Sequence, residues 1–219
     1  GALVIHEGGT YRLTGESRIP IEVRAANVSV TLYLENVKLR TRGNSAIRAV
    51  QRGDLTLIFA GEETNSIETE GREQKDGSAA DPKGVDAAIF AKGNLTLRGS
   101  GSANIKAANR GIVAKGELVV AEGIFDLRTE DDIFCGKESV TLQGGTVRAS
   151  AQGDKGKGVS SDGAVTLSGG SYVFEHTSEG IEGKTIEMSG GSFDISADDD
   201  GMNAREHYDK EETKSRKKE

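Results

Sequence analysis

Short apolar-alternating segments return along this chain at a nearly constant interval, and a period of about 20 to 50 residues restricts a fold to stacked repeats. Leu55-Thr-Leu57, Leu95-Thr-Leu97, Leu118-Val-Val120, Val140-Thr-Leu142, Val165-Thr-Leu167 and Ile186-Glu-Met188 follow one another at spacings of 40, 23, 22, 25 and 21 residues. A second series runs about six residues ahead of the first. Its members are Ile47-Arg-Ala49, Ile89-Phe-Ala91, Ile112-Val-Ala114, Ile133-Phe-Cys135, Val159-Ser-Ser161, Ile181-Glu-Gly183 and Met202-Asn-Ala204. A third follows each glycine-bearing turn, as Ala103-Asn-Ile105, Phe125-Asp-Leu127, Val147-Arg-Ala149, Tyr172-Val-Phe174 and Phe193-Asp-Ile195. Each period therefore holds three short strands of period-2 alternation.

Three such strands cannot bury their apolar faces within one period, but stacked copies can. The pattern predicts an all-β, three-sided parallel β-helix of about seven to eight rungs, and the crossover preference favours right-handed winding. A propeller would need four strands per blade, and a leucine-rich repeat a different consensus. Equivalent side chains then stack in files about 4.8 Å apart. Phe125, Tyr172 and Phe193, with Val147 between, form an inward aromatic file. Ile89, Ile112, Ile133, Val159, Ile181 and Met202 form an aliphatic one, and Cys135 falls inward beside Ala91, Ala114 and Ser161.

The repeat domain covers residues 1–204, with 61–85 read as a long inserted loop and 205–219 as a polar cap or tail. Thirty glycines and two prolines suit turns between short strands. A net charge of −7 removes the long-range attraction on which non-specific nucleic-acid binding depends. One cysteine rules out an internal disulfide framework. No apolar run is long enough to span a membrane, and the first residues lack the pattern of a signal peptide, so the expected form is soluble or already processed.

Gly9-Thr-Tyr-Arg-Leu-Thr-Gly15, Ala87-Ala-Ile-Phe-Ala-Lys-Gly-Asn-Leu-Thr-Leu-Arg-Gly-Ser-Gly101, Gly111-Ile-Val-Ala-Lys115, Ser168-Gly-Gly-Ser171 and Ser189-Gly-Gly-Ser-Phe-Asp-Ile-Ser-Ala-Asp-Asp-Asp-Gly201 appear in that order. With them the chain resembles a bacterial carbohydrate-binding β-helix family, once catalogued as a domain of unknown function and similar in architecture to calcium-dependent pectate lyases. The resemblance implies an extracellular or cell-surface protein that binds plant-type polysaccharide, acidic sugars included, and holds calcium. Where the family often carries Lys-Asp-Asp before the second strand, this chain has Lys92-Gly-Asn94 and Lys115-Gly-Glu117.

Carboxylates gather in the turns that precede the first strand of each rung. Asp131, Asp132 and Asp154 form one candidate metal group, and Glu179, Asp199 and Asp200 another. Calcium bonds oxygen at about 2.3 to 2.6 Å and can bridge carboxylates on adjacent rungs. Two unpaired charges about 4.8 Å apart repel by about 0.9 kcal/mol in water and about 3.5 kcal/mol at an effective dielectric of 20, so a cation must offset them. Lys155 and Lys157 can serve the first group in place of an ion. The second has no matching cation in the sequence pattern, and calcium is the expectation there. Oxygen ligands and three scattered histidines argue against zinc.

Outward positions of the first strand read Arg48, Phe90, Val113, Phe134, Ser160, Glu182 and Asn203. Phe90 and Phe134 either stack on a sugar ring or lie beneath the inserted loop. Outward positions of the third strand give Lys106, Arg128 and Arg148 beside Asp126, Glu175 and Asp194. These either meet uronate carboxylates or form a mixed-charge solvent face. The leading expectation is a non-catalytic binder of acidic or cellulosic polysaccharide assisted by calcium. A pectate-lyase-like eliminase with Arg128, Arg148 or Lys106 as its base is a second reading, and a structural or adhesin-like solenoid a third.

Overall fold

The computed structural model describes residues 1–71 and 86–205. Among these there is no helix, and the strands wind into a parallel β-solenoid of about eight turns. The first face is a nine-stranded sheet of very short strands. In spatial order these are β1 (Leu3–Ile5), β3 (Ile21–Val23), β5 (Ile47–Ala49), β8 (Ala87–Ala91), β11 (Arg110–Ala114), β14 (Phe134–Gly136), β17 (Val159–Ser161), β19 (Ile181–Gly183) and β21 (Met202–Ala204).

The second and third faces belong to one twelve-stranded sheet folded along a corner. The second face carries β6 (Asp54–Ala60), β9 (Asn94–Arg98), β12 (Glu117–Val120) and β15 (Ser139–Leu142). The third carries β7 (Asn65–Glu70), β10 (Ser102–Ala107), β13 (Ile124–Thr129) and β16 (Thr146–Ala151). Four long strands cross the corner: β2 (Gly9–Ser17), β4 (Ser29–Arg42), β18 (Ala164–Thr177) and β20 (Thr185–Ala197). Glycine makes the bend possible in β2, β18 and β20, and Asn36 at φ +57° takes its place in β4. In β18 Gly170 turns at φ +87°, and a Cβ on its neighbour Gly169 would sit 2.3 Å from the Gln143 carbonyl oxygen of the rung before.

The interior consists of files. Register pairs Phe125 with Val147, Val147 with Tyr172 and Tyr172 with Phe193, as the repeat predicts. The last two rings lie parallel with centroids 5.1 Å apart. On the second face Leu32, Leu57, Leu97, Val120, Leu142 and Leu167 stand in line, each fully buried.

Three sequence expectations change. On the first face the partner of Ile112 is Phe134, not Ile133, and Phe134 continues to Val159. Phe134 is therefore a core residue, 0% exposed, with its ring 6.4 Å from that of Phe174, and it cannot stack on a ligand. Ile133, also buried, ends the preceding turn. The one-residue shift sends Cys135 to the outer side, opposite Val113 and Ser160, because side chains alternate with period two.

The insertion is also shorter than expected, since Asn65–Glu70 is a strand of the third face. Asn65 is fully buried there: its amide donates to the Ala60 and Ser102 carbonyls, and its Oδ1 accepts from the Val37 N–H. The remainder of the expected loop, 72–85, and the expected cap from 206 onward lie outside the described residues.

Replacing Phe134 by Ala is expected to cost about 3 to 5 kcal/mol of unfolding free energy through lost burial and the cavity left behind. Urea denaturation followed by circular dichroism measures this, and a cost below about 1 kcal/mol would return Phe134 to the surface.

Candidate functional site

Two outward positions per rung on the third face build two side-chain files. Lys38, Ser66, Asn104, Asp126, Arg148 and Val173 follow one another in the first. Arg40, Glu68, Lys106, Arg128, Ser150 and Glu175 form the second. The second file and, from the first, Asp126 and Arg148 line a groove of about 830 Å³. From Arg40 to Glu175 it crosses five rung steps, which at about 4.8 Å each is about 24 Å parallel to the solenoid axis. Its rim on the side of the turns carries Glu130, Gln152 and His176, the last in the left-handed backbone region at φ +56°.

Four cations line the groove: Arg40, Lys106, Arg128 and Arg148. Five carboxylates face them: Glu68, Glu70, Asp126, Glu130 and Glu175. Lys106 Nζ lies 3.4 Å from Glu68, and Arg128 Nε 3.9 Å from Asp126. One Arg148 amino group donates to both oxygens of Glu175, at 2.9 and 3.0 Å. Arg40 reaches Glu68 and Glu70. Glu70 is held below the usual carboxylate range by hydrogen bonds from Arg40 and Arg42. The cations are more than half exposed, so each pair contributes about 0 to 1 kcal/mol and its members reorient at little cost.

Lys106, Arg128 and Arg148, expected to contact sugar, are thus brought together in one concave surface. Phe90 is not with them. It stands half-buried on the outer side of the first face, packed against Ala87, Val113 and Cys135. The sequence reading missed Arg40, Glu68 and His176. The alternation of Asn65, Ile67 and Thr69 could have shown the strand that carries Glu68 in step with Lys106.

The acidic turns do something different. Asp132 is largely buried: its Oδ1 accepts the Lys157 backbone N–H at 2.9 Å, and burial together with Asp131 raises its pKa. Asp154, Asp199 and Asp200 are exposed. Glu179 and Glu182 are 7% and 3% exposed and lie against Lys157, whose Nζ is 3.3 Å from the first and 2.7 Å from the second. Arg205 and Asn203 close the same cluster from the next rung. The second acidic group thus has cations of its own, contrary to expectation. Among the described residues no three His, Cys, Asp or Glu side chains are arranged to hold a metal ion. Glu179 is engaged by Lys157 and Arg205.

In this cluster the hydrogen bond with Glu182, then burial, raise the Glu179 pKa. Burial pushes Glu182 upward, but hydrogen bonds from Glu179, Lys157 and Arg205 outweigh it and bring Glu182 down to about 2. A mirror arrangement marks the other end of the first face, where Glu22, 2% exposed, is paired with Arg24 and Arg48.

A family model described as carbohydrate-binding domain-containing protein matches residues 1–218. No curated protein matches. A solved structure described as the polysaccharide lyase-like protein from C. thermocellum, a gadolinium derivative, superposes with a TM-score of 0.71. It does so at 17% identity over 92% of this chain and 89% of that one, a likeness of fold.

Replacing Lys157 by Met is expected to destabilise the protein at pH 7 by about 3 kcal/mol, since it removes one partner of a buried ionic cluster. The sign with pH follows from Glu182. A depressed carboxyl stabilises above its unfolded pKa and loses that contribution as pH falls toward about 2. Without Lys157 that depression shrinks, so the deficit of the variant should be larger at pH 7 than at pH 4. Denaturant titrations of both proteins at the two pH values test this. An equal deficit at both would show that Lys157 acts by packing alone.

Proposed function

The chain belongs to the carbohydrate-binding domain family, and on that premise we propose that it holds an extended polysaccharide in the groove of the third face. The observation that carries this reading is the groove itself: about 24 Å long at about 4.8 Å per rung, and lined over successive rungs by side chains that both donate and accept. Every sugar hydroxyl is at once donor and acceptor. An array in which guanidinium, ammonium, amide, hydroxyl and carboxylate groups alternate can satisfy such hydroxyls whichever way they point. Because the ion pairs are exposed and weak, a bound chain inserts among them without having to break a buried network.

Of the finer expectations, both an acidic and a cellulosic polymer suit the length of the groove. This reading does not require calcium: of the acidic residues expected to bind it, Glu179 is paired with Lys157 and Arg205, and none of the six lines the groove. Polymers of this class lie outside the cell, and the reading places the protein there. Binding without cleavage is the function favoured, since the family model that matches the chain is described by carbohydrate binding.

The double substitution Lys106→Ala with Arg128→Ala should weaken retention on polysaccharide at least tenfold, about 1.4 kcal/mol, with the melting temperature nearly unchanged. Affinity electrophoresis through gels containing neutral or acidic polysaccharide measures it. Unchanged mobility of the variant in every gel that retards the parent would move the binding surface elsewhere.

A further inference from the structure

Resting on the groove reading, we infer that Glu68, Asp126 and Glu175 are specificity-determining residues that set the groove for neutral, hydroxyl-rich chains and turn away polyanions. Each of the three stands against one of the three central cations, at 3.4 Å for Glu68 with Lys106, 3.9 Å for Asp126 with Arg128 and 2.9 Å for Glu175 with Arg148. With Glu70 and Glu130 they leave one negative charge in excess over the four lining cations. The whole chain adds its own net charge of −7.

A polyuronate laid along the groove brings about one carboxylate per rung into this setting. To pair with Lys106, Arg128 or Arg148 it must displace a carboxylate already there, and the displaced group stays within a few ångströms. At an ionic strength of 0.15 M, screening acts over about 8 Å, so neighbours on adjacent rungs still repel. A neutral chain meets no such penalty. Its hydroxyls donate to the carboxylates and accept from the cations, and both signs of charge in the groove are used.

Register gives the three carboxylates their effect. Glu68 precedes Lys106 by one rung in the same file, Asp126 is two residues from Arg128 on one strand, and Glu175 lies diagonally across from Arg148. No cation of the central triad lacks a carboxylate partner. All three carboxyl side chains are themselves 28 to 48% exposed, so their amides would leave no buried group unsatisfied.

The test compares the parent with Glu68→Gln/Asp126→Asn/Glu175→Gln for binding of cellohexaose and of polygalacturonate, in chelator and at low and moderate salt. The parent is expected to bind cellohexaose and to bind polygalacturonate at least tenfold more weakly. The triple variant should gain at least tenfold for polygalacturonate, with the gain vanishing as salt rises. Glu175→Gln alone, which frees Arg148, should show a smaller gain of the same sign. Polygalacturonate bound by the parent as tightly as the neutral sugar, or no gain in either variant, would overturn the inference and leave the groove reading in place. If the parent binds neither sugar, the groove reading itself fails.

Discussion

Parallel pairing of each rung with the next, in register over every face, is the constraint on which the rest of this structure depends. It places a side chain directly above its counterpart one turn earlier, about 4.8 Å away. Inside, that converts a weak sequence repeat into continuous files such as Phe125, Val147, Tyr172 and Phe193. Outside, it aligns groups that are distant in sequence: Glu68, Lys106 and Arg128 are neighbours only because the rungs that carry them are in step. The groove is a consequence of the same pairing that makes the core.

The pairing also explains how charge is handled. On the third face the outward files mix both signs and the charged pairs remain exposed, so these pairs are weak and can yield to a ligand. On the first face two carboxylates, Glu22 and Glu182, sit at outward positions of three-residue strands yet are nearly buried, and each is matched by cations from its own or adjacent rungs. The two faces thus use similar residue types for different ends. One is a loose array suited to recognition, the other a pair of tight clusters toward the two ends of a sheet.

Much of this was legible in the sequence, and the failures have physical causes. Files on the second and third faces could be read because strands such as Ala103–Ala107 alternate cleanly between buried and exposed over five residues. Seven of the nine first-face strands are three residues long, and in β3, β14 and β19 all three residues are buried, so alternation cannot fix their phase. For that reason the spacing puts Ile133 where Phe134 stands and turns Cys135 inward. β7 escaped notice because its inward positions include Asn65 and Thr69, whose polar groups are satisfied by backbone partners across the rungs. The pairing of Glu179 and Glu182 with Lys157 was hidden for a related reason: turns of unequal length decide which lysine reaches which carboxylate, and spacing alone does not show it.

Register on the first face can be read directly from a cross-link. Cys135 is the one native thiol, and Val113 is its Cα partner on the adjacent rung, at a separation that a disulfide can span. Val113→Cys should therefore oxidise to an intramolecular disulfide with Cys135, seen as the loss of both free thiols. Ala114→Cys, which is paired with Gly136 and points to the opposite side, should not. A disulfide formed in the second variant and absent from the first would contradict the stacking on which this account is built.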